Sequence, residues 1–284
     1  MKTLLIPTDF SANARHAAKY GYYLAKQMRA KVLLCNAVIV PAEMPQTGFT
    51  SCMAEESELL IDDSTDELQR LKAHLELTDQ TDSFRPEVGY VNEAGRVTNV
   101  VNTHSASANV GLVVIGQHSN SSLSSFLLGN HSGALIDAAK KPLLIVPPQA
   151  PVQMVKKIAF ATDFNKIGKD LKSIYELIAL ARPLKAEILL THVYTGKHDP
   201  AVIQPLTDLL MTELSNKADY PHIYYRALED NNAEKGLTWL CEHGQVDILA
   251  MNHGPYSVIG DILNLSHTKK MAAHLSVPLL VFQA

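Results

Sequence analysis

The segment from Gly116 to Ser132 carries the residues best suited to chemistry. It runs Gly116-Gln117-His118-Ser119-Asn120-Ser121-Ser122, continues to Phe126-Leu127-Leu128-Gly129 and opens a helix at Asn130-His131-Ser132. A loop of glycine and small hydroxyl residues feeding a helix N-terminus suits phosphate, because unpaired backbone N–H groups and the positive end of the helix dipole both favour an anion. Glycine lets a backbone approach closely, and Asn130 and Ser132 add side-chain donors. Upstream, Asp9 ends an apolar run. Its carboxylate can accept from a ribose hydroxyl or an adenine amino group, with Ala37 supplying backbone contacts. The plain alternative is that such a loop is only a surface turn.

Other chemistries find less support. The chain has 12 histidines, but none forms an HExxH or comparable cluster, so no metal site is expected. The 3 cysteines, Cys35, Cys52 and Cys241, are far apart and read as reduced, mostly buried thiols of a cytosolic protein. Gly196-Lys197-His198 lacks the upstream glycine of a phosphate-binding P-loop. No GxGxxG, SGGxD, HxGH or GxSxG sequence appears. A formal net charge of −4 without a basic stripe argues against nucleic acid. The start, Met1 to Asp9, is too short an apolar run for a signal peptide, and no stretch reaches the ~20 apolar residues of a membrane span. A cytoplasmic location is expected.

The elements that must position these residues come in two copies. Ile6-Pro7-Thr8-Asp9-Phe10-Ser11 is repeated as Phe160-Ala161-Thr162-Asp163-Phe164-Asn165. A second apolar run, Ala30 to Leu34, is repeated as Ala186 to Leu190, and a later one, Leu112 to Gly116, as Ile248 to Asn252. Each half closes on Pro-Leu-Leu, at Pro142 to Val146 and Pro278 to Phe282, with the same spacing from Gly116 and from Asn252. Two domains of about 140 residues suit the 284-residue length. We place them at residues 1–149 and 154–284, joined by the stiff Pro147-Pro148-Gln149-Ala150-Pro151. The first half carries an extra segment, Val40 to Glu56, whose Pro41, Pro45 and Gly48 read as a loop, either a lid, a dimer contact or a disordered stretch.

Apolar runs without polar alternation predict parallel strands buried on both faces, and their alternation with helices predicts an α/β fold. Ser11 or Asn165 would cap the first helix of each copy, with Phe10 or Phe164 as a hydrophobic staple. The expected architecture is two doubly wound parallel sheets in tandem, Rossmann-like, each with strand order 3-2-1-4-5. In such a sheet ligands bind beyond the carboxyl ends of the strands where the winding reverses, here between strands 1 and 4. That places Asp9 opposite Gly116.

These motifs resemble the universal stress protein family. The resemblance rests on Ile6 to Ser11, on Gly116-x2-Ser119-x9-Gly129-Asn130 and on Pro142 to Val146, and it covers the chain as two copies. The family's nucleotide-binding branch carries Gly-x2-Gly-x9-Gly-(Ser/Thr), from which this chain departs at Ser119 and Asn130. The resemblance implies an adenine nucleotide, ATP or AMP, with magnesium as a companion ion. Pro7, Thr8, Asp9 and Ala37 would hold its base end, and Gly116, His118, Ser119, Gly129, Asn130, His131 and Ser132 its phosphate end. It also implies that Pro142 to Val146 pairs with Pro278 to Phe282; the exposed edges then left over make a homodimer of tandem chains the expectation.

In the second half Val193 stands where the family places its second-strand contact, but Asn252, Pro255 and Leu265 replace the three motif glycines. Pro255 removes a donor and Leu265 adds bulk, so no triphosphate is expected there. The leading reading is a stress-response or signalling protein that binds an adenine nucleotide in its first domain, with an unidentified signalling partner. A nucleotide-free protein–protein scaffold is the alternative. Catalysis is expected to be at most weak ATP hydrolysis, since no acid, base or metal constellation marks a catalyst.

Overall fold

The structure is a computed structural model. It describes all residues except 1, 40–49, 82, 118–134, 136–138, 163, 165–166, 195–199, 254–274 and 284, and it describes the backbone but not the side chains of 50–57 and 200–203. The chain divides into two compact units, Met1–Lys141 and Pro142–Ala284.

The first unit is built from β1 (Thr3–Pro7), α1 (Ala12–Met28), β2 (Lys31–Val38), α2 (Thr50–Thr78), β3 (Val88–Ala94), α3 (Val97–Ser105) and β4 (Val110–Gly116). Its strands run parallel in the order β3-β2-β1-β4. Leu4, Leu5 and Ile6 of the central strand are fully buried, as expected of a strand covered on both faces. Helix α1 starts at Ser11, whose hydroxyl accepts from Ala14 N, and ends at Arg29 in the left-handed conformation. Its sheet-facing side is built from Ala14, Ala17, Ala18, Gly21 and Ala25, small enough for the helix to lie close to β1 and β4. At Gly21 a Cβ would sit 2.6 Å from Ile6 Cδ1.

Helix α2 begins at Thr50, so the later part of the segment expected to be a loop is helical. The reason is local: past Gly48 the sequence has no Gly or Pro, and it is rich in helix-forming Met, Ala and Glu. Leu68, Leu71 and Leu75 bury the far half of this helix. Its end is pinned by Asp79, which is buried and accepts from Tyr22 (3.2 Å) and Thr81 Oγ1 (2.9 Å) and pairs with Lys26.

The second unit contains β5 (Leu143–Val146), β6 (Lys157–Ala161), α4 (Ile167–Leu184), β7 (Glu187–Tyr194), α5 (Pro200–Lys217), β8 (Ile223–Glu229), α6 (Ala233–His243), β9 (Ile248–His253) and β10 (Leu279–Gln283). The order is β5-β10-β9-β6-β7-β8. From β8 inward to β10 this is the full 3-2-1-4-5 winding of the second copy, all parallel. β5 closes the first copy in sequence, yet it pairs antiparallel with β10 in the second unit, with Leu144 opposite Leu280. The expected pairing of the two terminal strands is therefore present. The connecting segment is tied down as well. Asp247 accepts from the Lys156 and Lys157 amides (2.7 and 2.9 Å) and from Gln153, while Gln149 donates to Leu275 O.

Candidate functional site

The chain leaves β1 through a turn held by its own side chains. Thr8 N donates to Cys35 O (2.8 Å), extending the β1–β2 ladder by one residue. Thr8 Oγ1 accepts from Phe10 N (3.0 Å), and Asp9 Oδ1 accepts from Ser11 N (3.0 Å) and Ser11 Oγ (2.6 Å). These are the side-chain-to-backbone bonds by which Thr and Asp shape turns. They hold Phe10 at φ 62°, in the left-handed region. Asn36 reaches from β2 beneath the turn and donates to Thr8 O (2.8 Å). Pro7 and Thr8 are buried and Asp9 is half-buried, with its Oδ2 shielded from solvent. One of its oxygens is committed to the cap of α1.

At the end of β4 the first turn of α1 lies directly against Gly116. A Cβ on Gly116 would meet Asn13 O at 2.7 Å and Ala14 N at 3.1 Å, both backbone atoms that cannot swing aside. One residue on, Asn13 Nδ2 donates to Gln117 O (2.8 Å). Because β1 and β4 are neighbours, with Leu5 opposite Val113, their ends lie side by side, where a doubly wound sheet has its ligand crevice. The structure thus brings Pro7, Thr8, Asp9 and Gly116 together, with Ala37 buried one strand away on β2. His118, Ser119, Gly129, Asn130, His131 and Ser132 lie outside the described residues.

Two residues of this arrangement escaped the sequence reading. Asn36 had a visible signal: a polar residue inside the run Val32 to Val38 must find a partner if the strand is buried on both faces. Asn13 had none, since its partner lies 104 positions away.

The second copy repeats the turn but not the strand end. Thr162 N donates to Thr191 O (2.9 Å), Phe164 N donates to Thr162 Oγ1 (3.0 Å), and Phe164 is held at φ 58°. His192 takes the place of Asn36, with Nδ1 2.8 Å from Thr162 O. Phe164 is buried against the rings of His192 and Tyr225. Where the first copy has Gly116, Asn252 donates to Asp170 Oδ1 of α4 (2.7 Å), and Thr162 Oγ1 donates to Asp170 Oδ2 (2.5 Å). All three residues are buried. At the position of Gly116 the Asn252 carboxamide thus fills ground that the first copy leaves to backbone. Val193 is half-buried on β7, where it packs against Gly236 of α6: a Cβ there would come within 2.8 Å. Asp163, Pro255 and Leu265 lie outside the described residues. Burial pushes the thiols of Cys35 and Cys241 up to about 12, so neither supplies a thiolate nucleophile near neutral pH.

Residues 1–147 match the model of the universal stress protein family. The chain belongs to that family. A universal stress protein from Archaeoglobus fulgidus has a similar structure over 99% of this chain and 98% of its own, with TM-score 0.67 and 13% identity. A protein from Pseudomonas aeruginosa PAO1 matches over 100% and 92%, with TM-score 0.58 and 12% identity. The cytoplasmic domain of a prokaryotic cation chloride cotransporter matches over 99% and 94%, with TM-score 0.51 and 10% identity. At such identities the likeness is one of fold. No curated protein matches. Among the described residues of this universal stress protein, no helix is long and apolar enough to cross a membrane.

Proposed function

We propose that the first unit is an adenine-nucleotide-binding module, taking ATP or AMP in the β1–β4 crevice, and that the second copy holds no triphosphate. The observation that carries this reading is the crevice itself. A turn rigidified by Thr8, Asp9, Ser11 and Asn36 ends β1, beside a neighbouring strand end, Gly116, where only glycine fits. Asp9 meets the base or ribose, and Pro7, Thr8 and Ala37 shape the floor. Gly116 opens the phosphate end, which His118, Ser119, Gly129, Asn130, His131 and Ser132 complete, with magnesium accompanying a triphosphate. In the second copy the buried Asp170 carboxylate sits at the corresponding strand end, where it repels phosphate.

Titration of the full chain with ATP and with AMP by calorimetry tests this. One equivalent should bind, and Asp9→Ala and Gly129→Leu should each abolish the heat while Asp163→Ala leaves it unchanged. Absence of heat and of any thermal shift at millimolar ligand overturns the reading. It would leave the nucleotide-free scaffold, which Ser119 favours by standing where the binding branch has its second glycine. We further propose that the protein acts in the cytoplasm as a homodimer of tandem chains, joined through exposed strand edges and passing a stress signal to a protein partner. Sedimentation of the intact chain checks the stoichiometry.

A further inference from the structure

Strand β8 ends its sheet, with β7 beside it on one side. In that ladder Ile188 N donates to His222 O and Asp230 N to Tyr194 O. Backbone groups alternate in direction along a strand, so the even-numbered residues of β8 serve β7. The N–H and C=O of Ile223, Tyr225, Ala227 and Glu229 point the other way, at the open edge. Natural edge strands are guarded by prolines, bulges or charges. From Ile223 to Leu228 there is no proline, and the register with β7 runs from Ile188 to Tyr194 without a shift. The one charge in that stretch, Arg226, lies over the ring of Trp239, 5.7 Å from its centroid. The edge strand of the first unit is different. There β3 is strapped to α2, since Gln69 Nε2 donates to Tyr90 Oη (3.2 Å) and Asn92 Nδ2 to Ile61 O (2.8 Å). The face of β8 beside Trp239 is also aromatic and open: Tyr224 is 48% exposed and Trp239 46%, and the His243 ring stacks on Trp239. Tyr, Trp and Arg are the residues that concentrate in protein interfaces.

We propose that this edge joins two copies of the chain: β8 pairs antiparallel with β8 of a second copy, about a two-fold axis at Tyr225. The inference rests on the homodimer reading above and names the edge and the register that reading leaves open. In this register the strand is complementary to itself. Tyr225 meets Tyr225 of the second copy and Ile223 meets Ala227. These are residues whose backbone groups face outward, so each such pair exchanges two hydrogen bonds. Between them Tyr224 stands opposite Arg226 of the second copy, twice by symmetry, with a Trp239 ring against each guanidinium. A cation facing an aromatic ring is an attractive cross-strand pair. A two-fold axis one residue further on, at Arg226, would instead oppose the two guanidiniums. Because the same patch serves both copies, the contact closes at a dimer.

Sedimentation of the intact chain should show a dimer. Ala227→Pro removes an outward N–H and no bond of the β7 ladder. Its circular dichroism should match the wild type, while it sediments as a monomer at concentrations where the wild type is dimeric. Tyr90→Lys, on the β3 edge, should stay dimeric. Tyr225→Cys reads the register. A hydrogen-bonded antiparallel pair has its Cα atoms about 5.5 Å apart, within disulfide reach, so this variant should cross-link into dimers under air oxidation. Ala227→Cys should not, because it lies opposite Ile223, roughly 13 Å from its own copy at about 3.3 Å per residue. A dimer that survives Ala227→Pro, or that Tyr90→Lys abolishes, overturns the assignment and leaves the homodimer reading standing. So does a dimer in which Ala227→Cys cross-links and Tyr225→Cys does not. Species that keep growing beyond the dimer overturn it too, since a two-fold contact closes. A chain that is monomeric at every concentration overturns both readings. If Ala227→Pro does not fold, the two cysteine variants decide alone.

Discussion

At the scale of single residues, the two copies show how one position can serve opposite ends. Gly116 is a glycine because the backbone of Asn13 occupies the space a Cβ would need. Its counterpart Asn252 carries a side chain that reaches the helix. Gly116→Ala should therefore destabilise the first unit by about 1–3 kcal/mol, the usual cost of forcing a methyl into close-packed backbone. Denaturant unfolding followed by a probe in that unit checks the value, and an unchanged midpoint would mean that α1 shifts freely. That Asp9 and Gly116 follow neighbouring strands was legible in the sequence, because the winding rule brings β1 and β4 side by side. Asn36 and Asn13 were not read, because each acts through a tertiary hydrogen bond whose partner only the folded chain supplies.

At the scale of elements, the parallel winding was legible because uninterrupted apolar runs such as Leu112 to Ile115 have no other use than a strand covered on both faces. Helix α2 was legible only in part. Its start at Thr50 comes inside a segment whose prolines and glycine masked the helix-forming residues that follow. Its end is set by Asp79, a residue with no periodic signature. Burial alone would raise the pKa of that carboxyl, but the bonds from Lys26, Thr81 and Tyr22 outweigh it and hold the value at about 2, below the ordinary 3.8. A carboxyl whose folded pKa is depressed stabilises the fold above its unfolded value, and that contribution is lost as pH falls through the folded one. The anchor of α2 on α1 should thus be intact above about pH 4 and fade towards pH 2. Asp79→Asn should be less stable than the wild type at neutral pH, and the gap should close on acidification. Urea midpoints of both proteins across that range give the test; a gap that persists at pH 2 would show that the charge is not the cause.

At the scale of the whole molecule, the sequence repeat and the compact units do not divide the chain at the same point. Leu143 to Val146 ends the first repeat by every sequence criterion, since it matches Leu279 to Phe282 residue for residue in type. In space it belongs with the second unit, antiparallel to β10. No periodicity predicts this, because a buried apolar strand is equally at home beside any other; only the end-to-end likeness of the two terminal strands hinted at it. The consequence is testable with one substitution. Leu144 is fully buried and faces Leu280 in the ladder. Leu144→Asp would bury a carboxylate with no partner in that apolar surrounding, at a cost of roughly 3 kcal/mol or more. Although the substituted residue lies in the first repeat, hydrogen exchange should quicken along β10, from Leu279 to Gln283, and in its neighbour β9. The amides of β2 and β3 should keep their wild-type protection. If protection is lost in β1 to β3 while β9 and β10 hold, then β5 is energetically a part of the first unit, and the repeat rather than the antiparallel pairing sets the boundary of cooperative unfolding.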